Sequence, residues 1–345
     1  MKKFLLRLFL LSGILVLVNN VIFFTFNLPF CWGNDIAYSK EDYLLKHAGD
    51  FNTVFIGTSK TYWQTDVTAF DSLTNHKTKS FNFGIDAIAE AEILDYTDHL
   101  VALDKNIKYV FIEAYDIDLI IKQNLHTCRQ KYWFNINAWW FTIKAIWGSD
   151  YSFRDKCRGY AYNTITFAEW LLKWDLLKDV NRFKHTSPNA DYLGNNQTGF
   201  VALGDEKVDF EYHLSYRDRL LKDTSINKEI TDASTWVFTY YQDSIKFNSG
   251  FYNGLESEIK KLQSKNIRVF LVMSPRTHEI QLKNFAPPFI GVEDCEKINL
   301  ADARYNPEFY DIKNAYDPTH LNKTGDKIYT EKIAKAFNED VAKAK

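Results

Sequence analysis

Four short apolar runs set the limits on what this chain can fold into. Thr53-Val54-Phe55-Ile56 is closed by Gly57, and Ser80-Phe81-Asn82-Phe83 is closed by Gly84. The run from Ile107 to Ala114 ends in Glu113-Ala114-Tyr115-Asp116, and the run from Ile267 to Met273 ends in Ser274-Pro275-Arg276. Apolar runs this short, stopped by a small residue or a turn, fit strands buried on both faces, as in parallel sheets. The stretches between them read as helices. Asp66 to Leu73 starts one, and Asp86 to Leu103 carries one apolar face with Asp86 as its cap. Phe251 to Lys265 sets Leu255, Ile259 and Leu262 against Glu256, Glu258, Lys260 and Lys261. A short edge strand is expected at Lys297 to Leu300 and a last helix from Lys323 to Lys345. Strand and helix alternating in this way predict an α/β protein with a parallel sheet between two helical layers.

The alternation stops after Asp118. From 120 to 241 the chain is rich in Trp, Tyr and Asn, with an amphipathic helix expected at Ala168 to Phe183 and a loop from Asn181 to Asp209. This region reads as one large insertion. It either caps the active face or adds helices to the edge of the domain. The expected organisation is a membrane anchor at 1–31, a first α/β part at 32–119, the insertion at 120–241 and a second α/β part at 242–345.

Lys2, Lys3 and Arg7 precede an uncharged run from Leu8 to Phe30. About 20 apolar residues cross a bilayer as a helix, and cations on the leading side keep that side in the cytoplasm. A cleaved signal peptide and an uncleaved anchor both begin this way. No small-x-small pattern follows the apolar core, so an anchor through residues 8–30 is expected, with the body outside the cytoplasmic membrane. Asn19 and Asn20 interrupt the run. Without the three leading cations, acidic residues outnumber basic ones, which argues against nucleic acid as a partner. Cys31, Cys128, Cys157 and Cys295 form no metal-ligand spacing, and Cys128 with Cys157 is either a disulfide or two isolated thiols. Neither a cofactor nor a metal is expected.

The chemistry gathers around Tyr316-Asp317-Pro318-Thr319-His320-Leu321-Asn322. An acid and an imidazole three residues apart let the carboxylate hold one ring nitrogen while the other takes a proton. Ser59, just past the first run, is the candidate nucleophile. Sites in such sheets collect at the carboxyl ends of the strands. The Ser59 and Gly84 amides, with the Asn82 side chain, are therefore the candidate oxyanion donors. His278 is a rival base on the same rim; His126, His185 and His213 are too scattered for a metal site. Each residue also has a plain structural use: Ser59 as a helix cap, His320 as a solvated loop residue, Asp317 as the start of a turn.

Gly57-Thr58-Ser59, Asn82-Phe83-Gly84 and Asp317-Pro318-Thr319-His320, in that order, resemble the blocks of the SGNH/GDSL hydrolases over about 50–120 and 250–345. The resemblance implies a three-layer, flavodoxin-like fold. It also implies a Ser59, His320, Asp317 triad, with Gly84 among the oxyanion donors. Where that family carries Gly-x-Asn-Asp, this chain has Glu113-Ala114-Tyr115-Asp116. The departure makes the chain look more like the membrane-anchored relatives that acylate exported polymers, such as the alginate O-acetylation proteins and the D-alanine transfer protein of teichoic acid synthesis. Two functions are expected from this. One is an anchored serine esterase or O-acyltransferase acting on an acylated glycan or acyl donor, beside a membrane-bound O-acyltransferase. The other is a non-catalytic glycan-binding or scaffold subunit of such a complex.

Overall fold

The computed structural model describes residues 1–25, 34–114, 130–174, 187–205 and 210–343. Its centre is a five-stranded sheet of β1 (Thr53–Gly57), β2 (Ser80–Gly84), β3 (Tyr109–Glu113), β4 (Arg268–Met273) and β5 (Glu296–Asn299), in the order β2-β1-β3-β4-β5. All four pairings are parallel, and Gly57 sits level with Gly84. Every residue of β1 and β2 is buried, and the two polar side chains of β2, Ser80 and Asn82, are hydrogen-bonded to Asp71 and to the Thr61 carbonyl.

Alternation along the strands divides the core in two. Val54, Ile56, Val110, Ile112, Val269 and Leu271 face one layer. Phe55, Phe111 and Phe270 face the other and stack across neighbouring strands, with ring centroids 4.2 and 4.5 Å apart. The first layer includes α5 (Glu90–Leu103), α11 (Ser249–Ser264) and α12 (Glu279–Gly291). The second includes α4 (Val67–Leu73) and α13 (Lys323–Lys343), whose Phe70 and Phe337 meet the edges of the stacked rings.

Several elements differ from expectation. α5 starts at Glu90 after Ala89, which makes no side-chain cap bond, so Asp86 is not its cap. α2 (Asp35–Lys46) is an element for which no expectation was given: Ala37 and Leu44 join the core, and the buried Lys40 Nζ donates to the Gly84 carbonyl at 2.7 Å. Of the helix expected at 168–183, residues 168–172 belong to α8 (Phe153–Leu172), which Lys173 ends at φ +50°, and residues 175–183 lie outside the described residues. Cys128, and with it the question of its pairing, lies outside the described residues, as do Cys31, His126 and His185.

Between β3 and β4 lie α6 (Gln130–Trp133), α7 (Ile136–Gly148), α8, α9 (Phe210–Lys222) and α10 (Ser225–Ser244). α7 packs on α11 and carries Ala145 and Ile146 into the core. This half adds helices to the domain flank. The later half goes to the strand ends: Thr198 accepts from the Asn82 amide, and Val201 and Leu203 pack on Tyr62, Trp63 and Tyr316.

α1 (Lys2–Thr25) is long and apolar enough to cross a membrane. Its Asn19 and Asn20 side chains donate to the Leu172 and Leu171 carbonyls at 2.9 and 3.1 Å. They thereby satisfy acceptors that the end of α8 would otherwise leave open.

Candidate active site

Strand order reverses between β1 and β3, and Ser59 opens α3 (Ser59–Gln64) at that point. Gly57 is required there, since a Cβ would lie 2.1 Å from Thr61 Oγ1 and 2.5 Å from Glu113 Oε2. Thr58 caps the helix through the Lys60 amide. Glu113, at the end of β3 and 1% exposed, holds the whole turn. Its Oε2 accepts from the amides and hydroxyls of both Thr58 and Thr61, at 2.8 to 3.3 Å. An ionised acceptor suits four converging donors. Lys60 points the other way, donating from a buried Nζ to the Pro275 carbonyl and Thr277 Oγ1. Burial, with Arg276 adding to it against the pull of Glu113 and Asp317, brings this ammonium down to about 7.

The Asp317 turn meets Ser59 from the far end of the chain. Asp317 Oδ1 accepts the Thr319 and His320 amides, each at 2.8 Å, which fixes the loop as a ring around the carboxylate. His320 Nδ1 is 2.8 Å from Asp317 Oδ2, and His320 Nε2 is 3.0 Å from Ser59 Oγ. Because an ionised carboxylate only accepts, the Nδ1 proton belongs on the Asp317 side and Nε2 is free to take the serine proton. Burial pushes the Asp317 carboxyl up, but the His320 charge and the bonds from His213, His320 and the Thr319 amide outweigh it. The group is held well below the usual carboxylate range. Trp63 closes the other side, its ring 4.9 Å from that of His320 and edge-on to it.

Two more residues belong to this site. His213, on α9, has Nδ1 3.5 Å from Asp317 Oδ2 and packs edge-on against both Trp63 and His320. Although expected to be one of several scattered histidines, it shares the Asp317 carboxylate with His320. Among the described residues, His213, Asp317 and His320 form the one group of three whose donor atoms, within 4.8 Å of one another, could hold a metal ion. Arg276, fully buried, adopts φ +56° after β4. It donates to the Pro318 carbonyl at 3.0 Å, and to Asn227 and the Phe309 carbonyl, so it ties the Asp317 loop to the sheet. Positive φ at a non-glycine residue was the signal here, and only coordinates reveal it.

Two expected oxyanion donors are otherwise engaged. The Gly84 amide donates to Asn82 Oδ1 at 2.8 Å, and the Asn82 amide group donates to the Thr61 and Thr65 carbonyls at 2.7 and 2.9 Å. Both residues fasten α3 to β2 from beneath. A Cβ at Gly84 would meet the Tyr62 backbone nitrogen at 2.2 Å, so this glycine serves close packing. The Ser59 amide, in the first turn of α3, has no acceptor among the described residues and remains available. His278 does not reach Ser59. It lines a cavity of about 780 Å³ with Asp150, Tyr151, Trp236 and Lys283, and burial followed by repulsion from Lys60 and His320 lowers its ring pKa.

No family model, curated protein or solved structure matches this chain.

Proposed function

We propose that the chain is a membrane-anchored serine esterase or O-acyltransferase of the SGNH type, working outside the cytoplasmic membrane on acyl groups of a cell-surface or exported glycan. The observation that carries the reading is the unbroken line from Ser59 Oγ through His320 to Asp317, at 3.0 and 2.8 Å. The 2-1-3-4-5 order of the parallel sheet supports a flavodoxin-like core. The cations in the first turns of α1 support an exported body.

In the first step the Ser59 hydroxyl proton passes to His320 Nε2 as Oγ bonds to the ester carbonyl carbon. The carbonyl oxygen becomes an oxyanion, for which the Ser59 amide is the available donor. The imidazolium that forms faces the Asp317 carboxylate, whose depressed pKa keeps it ionised. Collapse breaks the carbon–oxygen bond of the leaving alcohol, which takes the proton back from His320. Water or a sugar hydroxyl then gives its proton to His320 as its oxygen bonds to the acyl carbon, and collapse breaks the bond to Ser59 Oγ, which takes the proton back from His320.

Labelling with a fluorophosphonate tests this directly. The full chain in detergent should form a stable adduct, and Ser59→Ala should form none while keeping its fold. Equal labelling of the variant would remove Ser59 from its role. The engagement of Gly84 and Asn82 favours the second reading, a non-catalytic glycan-binding subunit. That subunit would turn over p-nitrophenyl acetate no faster than the Ser59→Ala chain does.

A further inference from the structure

The outer end of α1 does not stand clear of the body. Asn19 and Asn20 cap the end of α8, and Lys173 places its Nζ 4.5 Å from the rings of both Phe23 and Trp170. From Trp170 the rings continue without a break. Phe167 stacks on Trp170 at 5.6 Å, Trp139 lies 5.4 Å from Phe167, and Trp140 lies 5.9 Å from Trp139. Trp140 is 51% and Trp174 61% exposed, with Ile136 and Leu171 also exposed.

Length places this row relative to a bilayer. At 1.5 Å per residue, Asn19 lies roughly 24 Å and Phe23 roughly 30 Å along α1 from Lys3. The hydrocarbon slab is about 30 Å thick. With Lys3 at the inner boundary, the contact with α8 therefore falls at the outer boundary of the slab. That is the depth at which indole rings are enriched, and lysines such as Lys144 and Lys173 lay their stems along apolar surface there. Lys144 Nζ is indeed 5.2 Å from the Trp140 ring.

We infer that Trp139, Trp140, Phe167, Trp170 and Trp174 form a collar seated in the outer lipid headgroup layer. The collar fixes the body against the bilayer beside α1. The occupant of this face is lipid, because the row starts from the contact with the spanning helix, and that contact lies at the boundary depth. The inference rests on α1 crossing the membrane and is independent of whether Ser59 reacts.

The full chain, its native cysteines replaced by serine, is reconstituted in phosphatidylethanolamine–phosphatidylglycerol vesicles with a spin label at Trp140→Cys or Trp174→Cys. Lys335→Cys on α13, 76% exposed, is the aqueous reference. The ratio of collisions with oxygen to collisions with a water-soluble nickel chelate should be several-fold higher at both collar positions than at 335. Ratios equal to the reference in chain that resists carbonate extraction would overturn the collar while leaving the anchor intact. Such a result would point to a protein partner for this face. Chain released by carbonate would overturn both. Ile136→Cys, exposed on the same helix as Trp140, reads the same face should a tryptophan replacement disturb α7.

Discussion

At the scale of single residues, Asp317 has the heaviest duty, accepting from two amides and facing two imidazoles while 2% exposed. Its folded pKa is depressed, so the stability it contributes is complete above the unfolded value of about 3.9 and disappears as pH falls through the lower folded one. Asp317→Asn should therefore cost about 2 kcal/mol at pH 7, with the gap to the parent chain closing below pH 4. Urea midpoints at pH 7 and pH 3 measure it; a gap independent of pH would contradict the assignment. This residue was legible because Asp-x-x-His is a local pattern, and Ser59 was legible because it follows a strand. Gly84 and Asn82 were misread for an equally local reason. A side-chain amide can satisfy the backbone two residues on, and that use leaves no trace in residue order. His213 and Arg276 arrive from distant segments, and nothing in their own neighbourhoods announces it.

Single elements are held by their joints, and where α5 meets α11 the joint is charged. Asp95, Asp98 and Glu258 crowd there with Lys261. Burial, then Asp98, pushes Glu258 up to about 8, while burial together with Asp98 and Glu92 brings Asp95 to about 7 against the Asn135 bond. An acid with a raised folded pKa keeps its proton in the native state after the unfolded chain has lost it. It weakens the fold as pH climbs from about 4 to 8. Glu258→Gln should accordingly be close to neutral at pH 4 and stabilise the protein by about 2 kcal/mol at pH 9. Thermal melts at the two pH values decide it, and equal effects would refute the cause. Helix existence was readable from periodicity here, since Leu255, Ile259 and Leu262 share a face. Helix ends were less so, because the stop of α8 depends on Lys173 entering a left-handed conformation. Lysine shows no such preference in advance.

For the molecule as a whole, the sheet was the readable part and the region between β3 and α11 was not. Strands buried on both faces are mostly apolar, which writes them plainly into the chain. Helices that pack on a flank and then bend toward a site obey no single period. Asn19 and Asn20, which interrupt the apolar run, find their reason only once α8 is in place. If the body is exported, a membrane-impermeant maleimide added to intact cells after mild reduction should modify the exposed Cys157. Modification only after lysis would place the body on the cytoplasmic side.

The hydroxyl and the imidazole that face each other are 261 positions apart along the polypeptide. On the proposed reading, a chain leaving the ribosome and threading outward would therefore carry a chemically quiet alcohol for nearly the whole of its synthesis. Arming would come only when the final segments dock, by which time α1 has already been handed to the bilayer. Reactivity would then begin at the destination, not in transit.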